Sequence, residues 1–345
     1  MNRLLKFVML SVCSAAAVSC SSAPEPGPEA EVVDPHNKWG FVDQTGKVVI
    51  EPRYERVLPF SEGLAAVVIG KYWGFLDKTG KIAIKPTFDV ATPFAGGLAA
   101  VNVKGKWGYI DPTGKLVIEP KYDNARPFSE DYAGVKLENR WSYIDKQGKE
   151  IAGNFMDVGS FGKDLGAIRG ETLWGYIDTN GKEVIPQKYA SASPHNSDGI
   201  AEVTMPDGRF GLIDRNGIIA YQNGAERPSL FSDGLSTIDV RGQWGFADKT
   251  GKLVIPAKFS SVDKFSQGVA LVRTKGGYYG FVDTKGKMLI DPTFPNAQSF
   301  SEGFAPVRVK DGKWGYIDQK GKIVIDPKYA QAEQFKEALA AVKVD

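Results

Sequence analysis

The sequence predicts an all-β fold, a tandem array of nine units of about 34 residues, and three observations predict it. An aromatic-Gly or similar start recurs at Trp39, Trp73, Trp107, Trp141, Trp174, Phe210, Trp244, Tyr279 and Trp314, in steps of 33 to 36 residues. Two columns inside the unit never vary. Four residues after the aromatic stand Asp43, Asp77, Asp111, Asp145, Asp178, Asp214, Asp248, Asp283 and Asp318, and three further on stand Gly46, Gly80, Gly114, Gly148, Gly181, Gly217, Gly251, Gly286 and Gly321. Finally, no stretch of the body carries apolar residues at a helical period.

Each element of the unit follows from its residues. "WGYID" (107–111) alternates large and small side chains and reads as a first strand. Asp-x-x-Gly then makes a type I turn: the Asp accepts a hydrogen bond from the backbone two residues on, and the Gly takes the left-handed position. "KLVIEP" (115–120) is β-branched and ends at a Pro, which a central strand does not tolerate. "PFSEGLAAV" (59–67) starts as a loop and ends as a third strand. Gly105-Lys106, Asp207-Gly208, Gly242-Gln243 and Gly312-Lys313 are hairpin signals that return this strand to the next aromatic start. Three short antiparallel strands per unit are expected.

The units stack because none can bury its own rings alone. The chain begins on a first strand at Trp39 and stops on a third strand, Ala338–Val344, a phase that would let the ends pair and close a propeller-like ring. Ala30–Val33 could instead serve as a degenerate third strand capping an open, solenoid-like superhelix. Nine three-stranded units exceed the usual blade count, so the open form is the expectation and the closed ring the alternative.

Residues 1–19 have a basic start (Arg3, Lys6), an apolar run too short to span a bilayer and then small residues, as in a secretory signal. Ala17-Val18-Ser19-Cys20 resembles the lipobox of bacterial lipoproteins, which implies lipidation of Cys20 and attachment to a cell-envelope membrane. Ser21, rather than Asp, implies the outer one. Residues 20–37, rich in Pro, Glu and Ser, read as a solvated tether, and residues 38–345 as the repeat body. Charge is nearly balanced, 43 basic against 41 acidic residues, and Arg3 and Lys6 lie in the leader. No long-range field favours nucleic acid as a partner. Cys13 and Cys20 are the only cysteines, so the body has no disulfide and no thiolate metal site.

The composite "KWGFIDxTGKxVIxPxYDxAxPFSEGLAAV" resembles the WG (KWG) repeat over Lys38 to Asp345. These repeats are found in bacterial surface and secreted proteins and imply no single chemistry. Units four to six depart most: Ser142 follows Trp141, the sixth unit starts at Phe210, and "GNFMDVGSFGKD" and "YQNGAERPSL" replace the usual loop.

No catalytic residue, cofactor or metal is expected. His36 and His195 are the only histidines, one in the tether and one in an irregular loop, without a supporting triad motif. The Thr-Gly-Lys turns do not continue into a phosphate loop, and the several oxygen ligands of an EF-hand loop are missing. The lysines after the invariant Gly read as solvated hairpin ends. Trp39, Trp73, Trp107, Trp174, Trp244 and Trp314 are the candidate ligand-binding residues, as an exposed ladder for sugar rings or peptide; a jointly buried core is the competing reading. The expected function is a noncatalytic, envelope-anchored scaffold for a protein or envelope component, with glycan or peptidoglycan binding as the alternative.

Overall fold

One Trp-Gly strand and its neighbours show how the chain folds. In the computed structural model, which describes residues 38–223, 231–248 and 252–345, β1 (Trp39–Asp43) pairs antiparallel with β2 (Val48–Tyr54). The leader, Cys20, the tether, Ala30–Val33 and Gly251 lie outside the described residues. Trp39 faces Tyr54 and Phe41 faces Ile50, so a two-residue step on β1 is matched by four on β2. Glu51-Pro52-Arg53, three residues against one, bulge over Gly40. A Cβ there would lie 2.4 Å from the Ile50 carbonyl oxygen and 2.7 Å from the Pro52 nitrogen. The Gly of the Trp-Gly pair is thus a clearance for the bulge, and the Pro sits where a ladder hydrogen bond is already lost.

The fourth unit inverts this arrangement. Ser142 replaces the Gly, its partner strand is one residue shorter, and Trp141 and Tyr143 face Phe155 and Ala152. The glycine has moved across the ladder: a Cβ on Gly153 would lie 2.5 Å from the Ser142 hydroxyl. One side chain fits between the strands, on either side.

A sequence unit is not a sheet. β3 (Leu64–Ile69) ends the first unit, yet it forms a hairpin with β4 (Tyr72–Asp77), the first strand of the second, which pairs with β5 (Ile82–Phe88). Each sheet therefore joins two consecutive units. Nine sheets form among the described residues, seven of four strands and two of three. The expected count of three strands per unit omits a short edge strand, such as Val90–Ala91, Asn124–Ala125 or Gln331–Ala332. In six of the seven four-stranded sheets it is two residues long, too brief for an alternating pattern to reveal it; in the fifth sheet it is Asp157–Gly162. In the sheet of β3, a single bridge between Val57 and Val67 stands at that place.

The array closes on itself. Leu339–Lys343 pairs with β1 over five residues, from Trp39 opposite Lys343 to Asp43 opposite Leu339. The first sheet runs β2, β1, Leu339–Lys343, Gln331–Ala332, built from both ends of the repeat body. The molecule is a nine-bladed β-propeller, the ring held as the alternative, and not the open superhelix. The physical reason is the phase of the chain: an open array would leave β1 and the last strand as unpaired edges, and each satisfies the other.

The core lies between sheets. Leu64, Trp73 and Phe75 of the second sheet pack with Phe94, Val101 and Ile110 of the third. The same cluster type joins the ninth to the first, where Tyr316, Ile325 and Tyr329 meet Val42, Ala340 and Val342. Burying each large side chain stabilises the fold by roughly 1.5–3 kcal/mol, and here that burial exists only when neighbouring blades are in place.

Candidate functional site

Most of the recurring polar side chains act within the fold. In the turns of Asp43, Asp77, Asp111, Asp145, Asp178, Asp214, Asp283 and Asp318, Oδ1 accepts backbone N–H groups two and four residues on, at 2.8–3.1 Å where resolved. Asp248 accepts the Lys252 N–H at 3.2 Å. Thr45, Thr79 and Thr113 add a hydroxyl donor at 2.6 Å, and these bonds hold the three carboxyls below the usual carboxylate range. The described turn glycines, Gly46, Gly80, Gly114, Gly148, Gly181, Gly217, Gly286 and Gly321, all have φ between +73° and +86°. They also face the preceding blade: a Cβ on Gly80 would lie 3.2 Å from Ile50, and one on Gly46 would lie 3.1 Å from Ile325, across the closure.

The Pro-Phe-Ser-Glu-Gly loops link blade to blade. Ser61, Ser129 and Ser301 donate to the carbonyls of Phe94, Phe161 and Phe335 in the next blade, each at 2.7 Å. Glu62, Glu130, Glu302 and Glu337 stand at positive φ and aim their carboxylates at the next loop. Glu62 accepts the Gly97 N–H at 2.9 Å, and Glu302 accepts those of Glu337 and Ala338 at 2.7 and 2.8 Å. Glu337 in turn accepts the Gly63 N–H at 3.0 Å, so the chain of loops runs through the closure.

His195, expected in an irregular loop, occupies the Phe column. Its ring meets Tyr176 edge-on at 4.8 Å, as Phe94 meets Phe75 at 5.0 Å. It is 4% exposed, its Nε2 lies 3.3 Å from the Asp214 carbonyl oxygen and its Nδ1 has no partner. Burial lowers its pKa, and the Asp214 backbone contact opposes that.

The candidate tryptophans lie at the opposite end of the blades from the Asp turns. Each pairs across the ladder with the third aromatic of its unit, Trp39 with Tyr54, Trp107 with Tyr122 and Trp244 with Phe259. Trp73 is buried, and Trp39, Trp107, Trp174, Trp244 and Trp314 are half-buried. Cations overlie several: Arg56 at 5.2 Å from the Trp73 ring centre, Arg169 at 5.7 Å from Trp174 and Lys343 at 6.0 Å from Trp39. The rings pack against the inter-blade clusters, and Trp39, Trp107, Trp174, Trp244 and Trp314 stay partly exposed.

Two of the surfaces among the described residues carry side chains outside these contacts. Beside the Asp turns, the second strands expose aliphatic pairs next to a lysine, including Lys115-Leu116-Val117, Lys252-Leu253-Val254 and Lys322-Ile323-Val324. At the other end, a cleft of about 390 Å³ opens where the ninth blade meets the first, lined by Trp314, Arg308, Gln298, Gln331 and Glu333. Trp314 alone of these was a sequence candidate. The polar four were legible only as the residues that face the Trp column across the ladder and along the short strand, a column that varies from unit to unit.

The pattern described as the WG containing repeat matches residues 39–73, 73–107, 107–141, 174–208, 244–278, 279–314 and 314–345. The unmatched intervals hold units four and six, where Ser142 and Phe210 break the Trp-Gly start. No curated protein matches the sequence. Among solved structures, a eukaryotic initiation factor is similar over 84% of this chain and 95% of its own, with 11% identity and a TM-score of 0.56. BamB from Moraxella catarrhalis is similar over 84% and 96%, with 11% identity and a TM-score of 0.47. The computationally designed Ika8 protein covers 76% and 95%, with 15% identity and a TM-score of 0.47. At these identities the first likeness bears on the fold alone. With its repeats matched over well more than half its length, the chain belongs to the family of WG-repeat proteins.

Proposed function

We propose that this propeller is a noncatalytic scaffold, held at a bacterial cell envelope by a lipid on Cys20 and presenting its turn-bearing rim to a protein partner. The observation that carries this reading is the rim itself. Aliphatic pairs flanked by lysine stand at the same register in the third, seventh and ninth blades, each exposed outside the inter-blade core. Exposed apolar side chains grouped this way suit a protein surface. The use of the recurring Asp, Ser and Glu side chains in turns and blade contacts supports the absence of catalysis. The signal-like start and the lipobox-like Ala17–Cys20 support the anchor, Ser21 after the Cys supports the outer membrane, and the Pro-rich tether supports a body standing clear of the bilayer.

Two paired experiments test it. Labelled palmitate should enter the full chain and not Cys20→Ser, with the latter released from membranes; equal labelling of both overturns the anchor. A photo-crosslinking residue at Val117 or Val254 should yield one discrete adduct in cells, and the same probe at Val90, away from the turns, should not. Identical patterns at all three sites overturn the rim as the docking surface.

A further inference from the structure

The cleft between the ninth and first blades combines groups that the platform reading does not use. Arg308 faces Trp314 across the ladder, and Asn296 faces Arg308 on its other side. Arg308 donates through Nε to the Gly312 carbonyl at 2.9 Å, which ties the guanidinium to the hairpin leading into Trp314. From the preceding strand edge, Gln298 donates through Nε2 to the Ala332 carbonyl at 3.0 Å, spanning the seam. Tyr316 donates its hydroxyl to the Glu333 carbonyl at 2.8 Å, and the Glu333 N–H bonds the Ala341 carbonyl at 2.9 Å. The backbone bearing the Glu333 carboxyl is therefore held from two sides.

The chemistry of this set is specific. Guanidinium and carboxylate offset each other, so the cleft has no net charge to select a simple anion or cation. An indole, two planar amides, one carboxylate and one guanidinium line a mostly polar cleft in which donors and acceptors stand side by side. A pyranose ring has that complement, with C–H groups on its faces and hydroxyls, each both donor and acceptor, around its rim. At about 390 Å³ the cleft is within the range of small-molecule sites. The corresponding place in the sixth blade shows what is special here. There Phe210 stands for Trp314, Thr204 for Arg308 and Ser193 for Gln298, and the space within that blade is about 160 Å³.

We propose that the Trp314 cleft is a saccharide-binding subsite, with one pyranose ring against the indole and its hydroxyls bonded by Gln298, Arg308, Gln331 and Glu333. It is independent of the rim and of any protein bound there. Desolvation raises the Glu333 pKa, and a side-chain hydrogen bond from Gln298 opposes that.

Calorimetric titration of the full chain with β-linked trisaccharides of glucose and of N-acetylglucosamine tests it. Saturable binding of at least one is expected, weakened about tenfold or more by Glu333→Ala and by Gln331→Ala. Both residues are exposed, so their replacement leaves the core intact, and Glu202→Ala in the sixth blade serves as a control with unchanged affinity. Binding of neither trisaccharide overturns the proposal. Equal binding by wild type and both cleft variants, with unchanged thermal midpoints, overturns it as well.

Discussion

At the scale of single residues, a glycine in the Asp-x-x-Gly turn meets two demands, and they are separable by substitution. Gly63 and Gly80 both stand near φ +83°, but a Cβ on Gly63 meets no atom within 4 Å whereas one on Gly80 meets Ile50 at 3.2 Å. Gly63→Ala is expected to destabilise by about 1 kcal/mol through strain alone, and Gly80→Ala by about 2–3 kcal/mol, read from urea midpoints. Equal losses would show that the blade contact is immaterial. His195 provides a second test. Its pKa is depressed in the folded state, so the unfolded chain binds the proton first as pH falls below about 6.5. Stability contributed by the neutral imidazole is therefore present above that pH and lost below it, and His195→Phe should flatten the slope of stability against pH in that window. The turn residues were legible because one repeated column carries a local rule. The role of His195 was hidden because the loop around it is irregular, although Ser193-Pro194-His195 aligns with Thr92-Pro93-Phe94.

At the scale of the element, the Trp-Gly strand is defined by its partner's bulge. Gly74→Ala would push a methyl to 2.7 Å from the Ile84 carbonyl oxygen and 2.8 Å from the Pro86 nitrogen. The expected loss is about 2–4 kcal/mol, while Ser142→Gly in the fourth blade, where the clearance lies at Gly153, should lose less than about 1 kcal/mol. Thermal unfolding of the two variants checks the contrast. Replacing Glu302 by Ala leaves the Glu337 and Ala338 N–H groups without their carboxylate, an expected loss of about 1–3 kcal/mol with faster exchange at those amides. Strand and hairpin assignments followed from alternation and turn chemistry. The Ser and Glu of the Pro-Phe-Ser-Glu-Gly motif gave no hint of their purpose, because their partners lie one full unit away and no local pattern reports them. The two-residue edge strands escaped for the opposite reason, being too short to show a period.

At the scale of the whole molecule, sequence reasoning reached nine repeats and their mutual burial but leaned towards an open array. Ring closure depends on whether the last strand finds β1, and two segments, Ala30–Val33 and Leu339–Lys343, could have filled that place. The pairing of Trp39–Asp43 with Leu339–Lys343 decides it, reinforced by Glu337 to Gly63 and by Ile325 against Gly46. A chain ending at Ala338 should accordingly lose more than one strand. The clusters around Phe41 and Tyr316 would each open, and cooperative unfolding should broaden or disappear in differential scanning calorimetry.

Closure is tested most directly by amide hydrogen exchange, resolved by peptide, under native conditions. If the two chain ends complete one blade, amides in Trp39–Asp43 and Leu339–Lys343 will exchange as slowly as those in Ala99–Val103 and Lys106–Ile110, an internal blade of the same construction. Rapid exchange confined to the terminal pair, with the internal pair protected, would contradict the ring.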